Sequence, residues 1–148
     1  MKEKKITVLS CFDGISACQK AFKNLGIEFD GVNNFYYCSE IDRHAIQVTQ
    51  KNFPSTIQLG DIKGLIIEDN YIFFNQNNDP LKNGGSFEAK VDLLVAGFPC
   101  QDLSSAKKDG KGLNGERSGL FYELLRIIKE VKPKHILIEN VSSMKKEW

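Results

Sequence analysis

Cys100 is placed as a nucleophile would be: it follows Pro99 at the end of the apolar run Val91 to Ala96 and Gly97-Phe98, with polar Gln101 and Ser104 close behind it. A free cysteine is more often a buried small hydrophobe, so its surroundings are what single it out. Glu139 directly follows the run His135 to Ile138. An acid in that position needs a partner, and such groups often have shifted proton affinities. Two further carboxylates follow short apolar runs, Glu40 after Phe35 to Ser39 and Asp61 in Gly60-Asp61-Ile62. Either could accept hydrogen bonds from a ligand, and either could instead cap a helix. The segment Phe12-Asp13-Gly14-Ile15-Ser16 is a glycine turn whose backbone amides could face a ligand. It is not GxGxxG, which argues against a pyrophosphate cradle and leaves room for a smaller ligand.

These residues need elements to hold them. Lys5 to Cys11 reads as a buried strand entering the Asp13-Gly14 turn. Ser16 is a candidate cap for a helix with Ala17, Ala21, Phe22 and Leu25 at helical spacing and Gly26 at its stop. Phe35 to Ser39 is a second strand, and Asp42 to Asn52 a helix that stops before Pro54. A short third strand falls near Thr56 to Leu59, and a fourth spans Val91 to Ala96. From Gly119 to Val131, Leu120, Phe121, Leu124, Leu125, Ile128 and Val131 form a helical stripe, which Lys132-Pro133 ends before the fifth strand, His135 to Ile138.

Strands alternating with helices predict an α/β fold with a doubly wound, mostly parallel sheet. In such sheets ligands sit outside the carboxyl ends of the strands, where every residue singled out above falls. A glycine turn, then Glu40 for two ribose hydroxyls, then Asp61 for an amino group with Ile62 against a ring, favour an adenosyl ligand in that chain order. The Asn-rich stretch Asp69 to Lys90, with Pro80 and Gly84-Gly85, reads as an inserted loop or hairpin without assigned chemistry. Ser104 to Ser118 carries three glycines and four cations, and by composition it is a solvated loop.

The bulk properties exclude several classes. A chain of 148 residues with 41% hydrophobic and 26% charged residues suits one soluble domain with a real core. No apolar run approaches the roughly 20 residues that span a bilayer, and the amino terminus lacks a signal-peptide core. A cytoplasmic setting is expected. The four cysteines lack CxxC spacing, and His44 and His135 stand apart from them, so neither a disulfide framework nor a metal site is expected. A net charge of +1 gives no overall basic face for nucleic acid; any such face must be local.

Taken together, the segments Leu9 to Ser16 (LSCFDGIS), Ser39 to Asp42 (SEID), Gly60 to Ile62 (GDI), Gly97 to Ser104 (GFPCQDLS), Arg117 to Phe121 (RSGLF) and Glu139 to Val141 (ENV) resemble the DNA (cytosine-5) methyltransferase family. The resemblance covers nearly the whole chain except the insert, and PCQ and ENV at strand ends in this order are a specific combination. It implies a Rossmann-like, S-adenosylmethionine-dependent methyltransferase fold. Phe12, Asp13, Gly14 and Ser16 would line S-adenosylmethionine, Glu40 its ribose, and Asp61 with Ile62 its adenine, with Pro99 and Leu120 bordering it. Cys100 would attack C6 of cytosine while Glu139 hydrogen-bonds and protonates N3. The base would have to leave the duplex stack. The cationic loop would then be a lid, with Gln101 and Ser104 near the base and Lys107, Lys108, Lys111 and Arg117 near phosphates, which position without specifying sequence.

The departures from the family carry their own expectations. The first loop has Asp13 and Ser16 where many members carry small residues or glycine, and the insert is long. Residues 1–148 would form a partial catalytic domain, truncated after the fifth strand of a seven-stranded sheet, with the target-recognition domain absent. The His135 to Ile138 strand would be an open apolar edge inviting self-association or a second chain. The substrate would be double-stranded DNA in a bacterial or phage-infected cell. Two alternatives stay open: an RNA-directed relative with the same chemistry, and an inactive regulatory partner, which has no physical need to retain Cys100, Glu139, Glu40 and Asp61 together. A nicotinamide-dependent dehydrogenase is disfavoured by the missing GxGxxG.

Overall fold

A computed structural model describes residues 5–74, 84–98 and 120–140. In chain order the elements begin with β1 (Thr7–Cys11), α1 (Ala17–Asn24), β2 (Phe35–Ser39), α2 (Arg43–Asn52) and β3 (Ile57–Gln58). After a single 3-10 turn at Ile62–Gly64 come β4 (Ile66–Glu68), β5 (Tyr71–Phe74), β6 (Gly85–Glu88), β7 (Leu93–Ala96), α3 (Leu120–Val131) and β8 (His135–Ile138).

Five strands form one sheet in the order β3-β2-β1-β7-β8, and every pairing in it is parallel. The chain winds outward from β1 through β2 to β3, then returns to the other side of β1 with β7 and β8. The winding direction therefore reverses between β1 and β7, and a crevice opens outside their carboxyl ends. This is the α/β, doubly wound, mostly parallel architecture expected from the alternation of strands and helices.

The strand period sorts the core into two layers. Leu9, Cys11, Tyr37, Leu94 and Ala96 share one buried cluster with Leu124, Ile127 and Val131 of α3. The intervening residues Val8, Tyr36 and Cys38 join Phe29 on the other face, with Cys18 and Phe22 of α1 packed against them. The α3 stripe includes Ile127, which the sequence reading passed over. It is fully buried, one turn from both Leu124 and Val131.

Helix α1 stops as its glycine predicts. Gly26 takes φ +76°, its amide bonds the Lys23 carbonyl, and the Ile27 amide reaches back to Phe22. Its start differs from expectation. Ser16 occupies the cap position in a left-handed conformation, and its hydroxyl donates to Asp13 instead of accepting from an α1 amide. Asp42 does cap α2, accepting from the amides of His44 and Ala45 at 2.8 and 2.9 Å.

The inserted region carries antiparallel strands, as the hairpin alternative had it, and they begin ahead of Asp69. β4, β5 and β6 form an antiparallel sheet, and Asp69-Asn70 is its two-residue turn, both residues at positive φ. This small sheet covers the same face as α3. Ile72 and Phe87 enter the core, and the Phe87 ring stacks on Tyr37 with centroids 3.5 Å apart.

Candidate functional site

The crevice at the switch point holds a cleft of about 320 Å³, at the low end of ligand-pocket volumes. Phe12 follows β1; Ser39, Glu40 and Ile41 end β2; Asp61, Ile62 and Lys63 follow β3; Gly97 follows β7; and Leu120 starts α3. Two other hollows lie elsewhere. One of about 460 Å³ sits at the amino ends of the strands beside Lys5, Thr7 and Asp92, and one of about 150 Å³ lies between Gln19 and Phe53. Neither touches a residue singled out from the sequence.

Glu40 is the best-held side chain of the cleft. One carboxylate oxygen accepts from the Gly14 amide at 2.8 Å. The other accepts from the amides of Ile41 and Asp42 at 2.7 and 2.9 Å. The carboxylate thus ties the loop after β1 to the loop after β2 and is oriented before any ligand arrives. Carboxylate oxygens offer about four acceptor sites in all, so capacity remains for a ligand hydroxyl.

Asp61 accepts from the Lys63 amide at 3.0 Å through one oxygen; the other has no protein hydrogen bond among the described residues. Gly60, at φ +79°, makes the sharp exit from β3, and its carbonyl accepts from the Ser39 hydroxyl at 2.8 Å. Ile62 is buried beneath the cleft, whereas Ile41 is exposed and offers an apolar surface beside Glu40. Phe12 stands in the left-handed region at φ +58° and is held there by its amide on the Ser39 carbonyl at 2.8 Å. A non-glycine residue in that conformation costs about 1–3 kcal/mol and persists where the surroundings over-determine it.

Asp13 and Ser16 turn away from the cleft. The Asp13 carboxylate accepts from Ser10 and Tyr36 through one oxygen and from Ser16 and Cys38 through the other. Burial and then the Asp13 charge push the Cys11 thiol up to about 12. The same two causes, in the same order, raise Tyr36 and Cys38. Gly14 contributes its amide to Glu40 and does not line the cleft.

Glu139 continues β8, its amide bonding the Ala96 carbonyl at 2.9 Å. Its side chain is exposed, and one carboxylate oxygen lies beside Gly97 at the cleft rim. A side-chain carbon built on Gly97 would stand 3.5 Å from that oxygen. Asn140 donates to the Phe98 carbonyl at 3.1 Å, pinning the strand ends of β7 and β8 together where the PCQ segment departs. Pro99, Cys100, Gln101, Ser104, Lys107, Lys108, Lys111 and Arg117 lie outside the described residues.

The fold therefore brings Phe12, Glu40, Asp61, Ile62 and Leu120 to one cleft and sets Glu139 at its edge, but leaves Asp13, Gly14 and Ser16 off its walls. Ser39, Ile41, Lys63 and Gly97 complete the lining without having been singled out. Ser39, Ile41 and Lys63 each adjoin a residue that was, and Gly97 stands two before Pro99; position at a strand's carboxyl end is the signal that could have found them. Among the described residues no cluster of metal-ligating side chains occurs. The set offers two carboxylates with acceptor capacity between apolar walls.

Fold and cleft together define an α/β protein of the doubly wound class with a cleft at its switch point. The chain belongs to the C-5 cytosine-specific DNA methylases, whose family model matches residues 6–147. It is 30% identical over 141 residues to the type II methyltransferase M.NlaIV of Neisseria lactamica, covering 95% of this chain and 29% of that protein. It is 32% identical over 142 residues to M.HpaII of Haemophilus parainfluenzae, covering 96% of this chain and 33% of that one. The orphan methyltransferase M.Rho11sI of Bacillus phage rho11s is 30% identical over 142 residues, covering 95% and 24%. The chain thus spans between a quarter and a third of the length of these curated relatives.

Proposed function

We propose that this chain is the cofactor-binding and nucleophile-bearing part of a DNA (cytosine-5) methyltransferase. The observation that carries the reading is the switch-point cleft, where Glu40 is oriented by three backbone amides opposite Asp61. S-adenosylmethionine, when bound there, supplies a methyl group on a sulfonium sulfur to C5 of cytosine. Glu40 accepts from a ribose hydroxyl and Asp61 from the adenine amino group. Phe12, Ile41 and Leu120 exclude water from the rings.

The residues around the base act on a pyrimidine that is not nucleophilic at C5 while aromatic. Glu139 donates a proton to N3 and so makes C6 electrophilic. The Cys100 thiolate spends its electron pair on the bond to C6, and the displaced C5–C6 π pair makes C5 nucleophilic. After methylation, loss of the C5 proton, expulsion of Cys100 and return of the N3 proton to Glu139 restore the ring, the free thiolate and the acid. The exposure of Glu139 suits an acid that must meet an incoming base. The cations Lys107, Lys108, Lys111 and Arg117 would meet the phosphates, with double-stranded DNA as the partner.

Residues 1–148 are read as part of a catalytic domain, in keeping with their spanning about a quarter to a third of the curated relatives, and the β8 edge, unpaired on one side among the described residues, as a surface for a second chain or a second copy. Ile136, Leu137 and Ile138 are exposed there. A cytoplasmic setting in a bacterial or phage-infected cell belongs to the same reading, and the bacterial and phage sources of the relatives support it. No described helix is long and apolar enough to cross a membrane.

Covalent capture tests the reading. With S-adenosylmethionine present and a target-recognition part supplied, DNA containing 5-fluorocytosine should form a lasting adduct with the protein, because fluorine cannot leave as the C5 proton does. Cys100→Ala should abolish the adduct. Capture that survives this substitution overturns the assignment.

A further inference from the structure

The cofactor reading leaves Asp13, beside the cleft's first loop, without a role of its own. Asp13 sits between Phe12 at φ +58° and Gly14 at φ +60°, in the loop whose Gly14 amide holds Glu40. Its carboxylate is not on the cleft wall. Four side chains from three elements donate to it instead. Ser10 of β1 does so at 2.5 Å, Tyr36 of β2 at 2.7 Å, Cys38 of β2 at 3.3 Å, and Ser16 at the head of α1 through a short bond.

This set extends inward. Gln19 donates to Ser16 at 3.2 Å and to Thr56, ahead of β3, at 2.7 Å, and both partners are buried. The backbone joins in, because the amides of Phe12 and Asp13 both reach the Ser39 carbonyl, at 2.8 and 3.4 Å. A loop with Phe12 and Gly14 both in the left-handed region on either side of Asp13 does not hold such a shape by itself. A carboxylate that collects donors from β1, α1 and β2 does hold it, since hydrogen bonds to a charged acceptor are roughly twice as strong as neutral ones.

We infer that Asp13 is a positioning residue: its inward hydrogen bonds fix the first loop so that the Gly14 amide stays on Glu40, and it thereby sets affinity for the adenosyl ligand without touching it. The inference rests on the cofactor reading of the cleft. It also replaces the expectation that Asp13 lines the ligand.

Asp13→Asn keeps the shape but turns one acceptor oxygen into an amide donor that faces two donors. Tyr36→Phe removes a single donor from a fully buried ring that no ligand in the cleft could reach. Calorimetric titration with S-adenosylmethionine should show Asp13→Asn weakening binding at least about tenfold and Tyr36→Phe weakening it severalfold. The double variant should lose no more than Asp13→Asn alone, as expected for groups acting as one unit. Ile72→Val, in the antiparallel sheet away from the loop, serves as the control for lost stability and should bind as the parent does.

Amide exchange in the ligand-free protein gives a readout that does not depend on the cofactor. Asp13→Asn should speed exchange at Gly14 while Leu9 of β1 stays protected. Three outcomes overturn the proposal. They are unchanged Gly14 exchange in Asp13→Asn, parental affinity in Tyr36→Phe beside a loss in Asp13→Asn, and equal losses in Asp13→Asn and Ile72→Val. A parent that takes up no S-adenosylmethionine, yet shows the exchange effect, sinks the cofactor reading and the affinity claim while leaving the loop tether standing.

Discussion

Buried thiols make the residue scale directly testable. Cys11 and Cys38 are both buried, and burial with the Asp13 charge raises both thiols, Cys11 from 9.0 up to about 12. The thiolate is the reactive form, so at about pH 8 a thiol reagent should leave both untouched until the chain unfolds. Ready labelling of either in the folded protein would contradict their placement. The sign of the pH effect follows from the same shift. The fold favours the neutral thiol, so this stabilisation is intact below pH 9.0 and is lost as pH climbs toward about 12. The thermal midpoint should accordingly fall on the alkaline side of pH 9.0, and a flat profile to about pH 11 would count against it.

At the element scale, the helix caps and the central strand are where single changes tell most. Asp42 accepts from the amides of Ala45 and His44, and those bonds lower its carboxyl below the ordinary 3.8. The stabilisation is present above that value and disappears as pH falls through the depressed one. Asp42→Ala should therefore melt below the parent at neutral pH, and the two should converge in acid. A gap that persists unchanged in acid would assign the effect to something other than the charged cap. In β7, Leu94 is fully buried at the centre of the larger cluster. Leu94→Ala should cost about 2–5 kcal/mol in denaturant unfolding, the range for a buried leucine that leaves a cavity.

For the whole molecule, the open question is the β8 edge. This strand pairs with β7 on one side, and among the described residues nothing pairs with its other side. Ile136 is 47% exposed, Leu137 57% and Ile138 42%, so apolar side chains stand out along an unpaired backbone. Such an edge templates association. Light scattering should show mass rising with concentration, and Leu137→Lys should shift the population toward single chains. A parent that stays a single chain at high concentration would remove the edge as an association surface.

How much of this was legible in the residue order depends on range. Strand and helix identities were readable because period 2 and period 3.6 are local properties, and Gly26 and Asp42 marked boundaries for local steric and hydrogen-bonding reasons. The antiparallel sheet was only half readable: Asp69-Asn70 is a turn signal, but the place of Phe87 against Tyr37 depends on two segments fifty residues apart. Glu40 and Asp61 were found because a carboxylate at the end of an apolar run is conspicuous in any sequence.

What the sequence determined alone was the alternation of elements, the doubly wound class and the set of residues able to do chemistry, since each rests on near-neighbour spacing. Only the tertiary structure decided where those side chains point. Asp13 and Glu40 are both acids beside strand ends, yet one turns inward to four donors while the other is clamped at the cleft by three amides. The donors to Asp13 come from three separate elements and the amides on Glu40 from two separate loops. Hydrogen-bond partners so far apart in the chain are chosen by the packing of the sheet and not by local order.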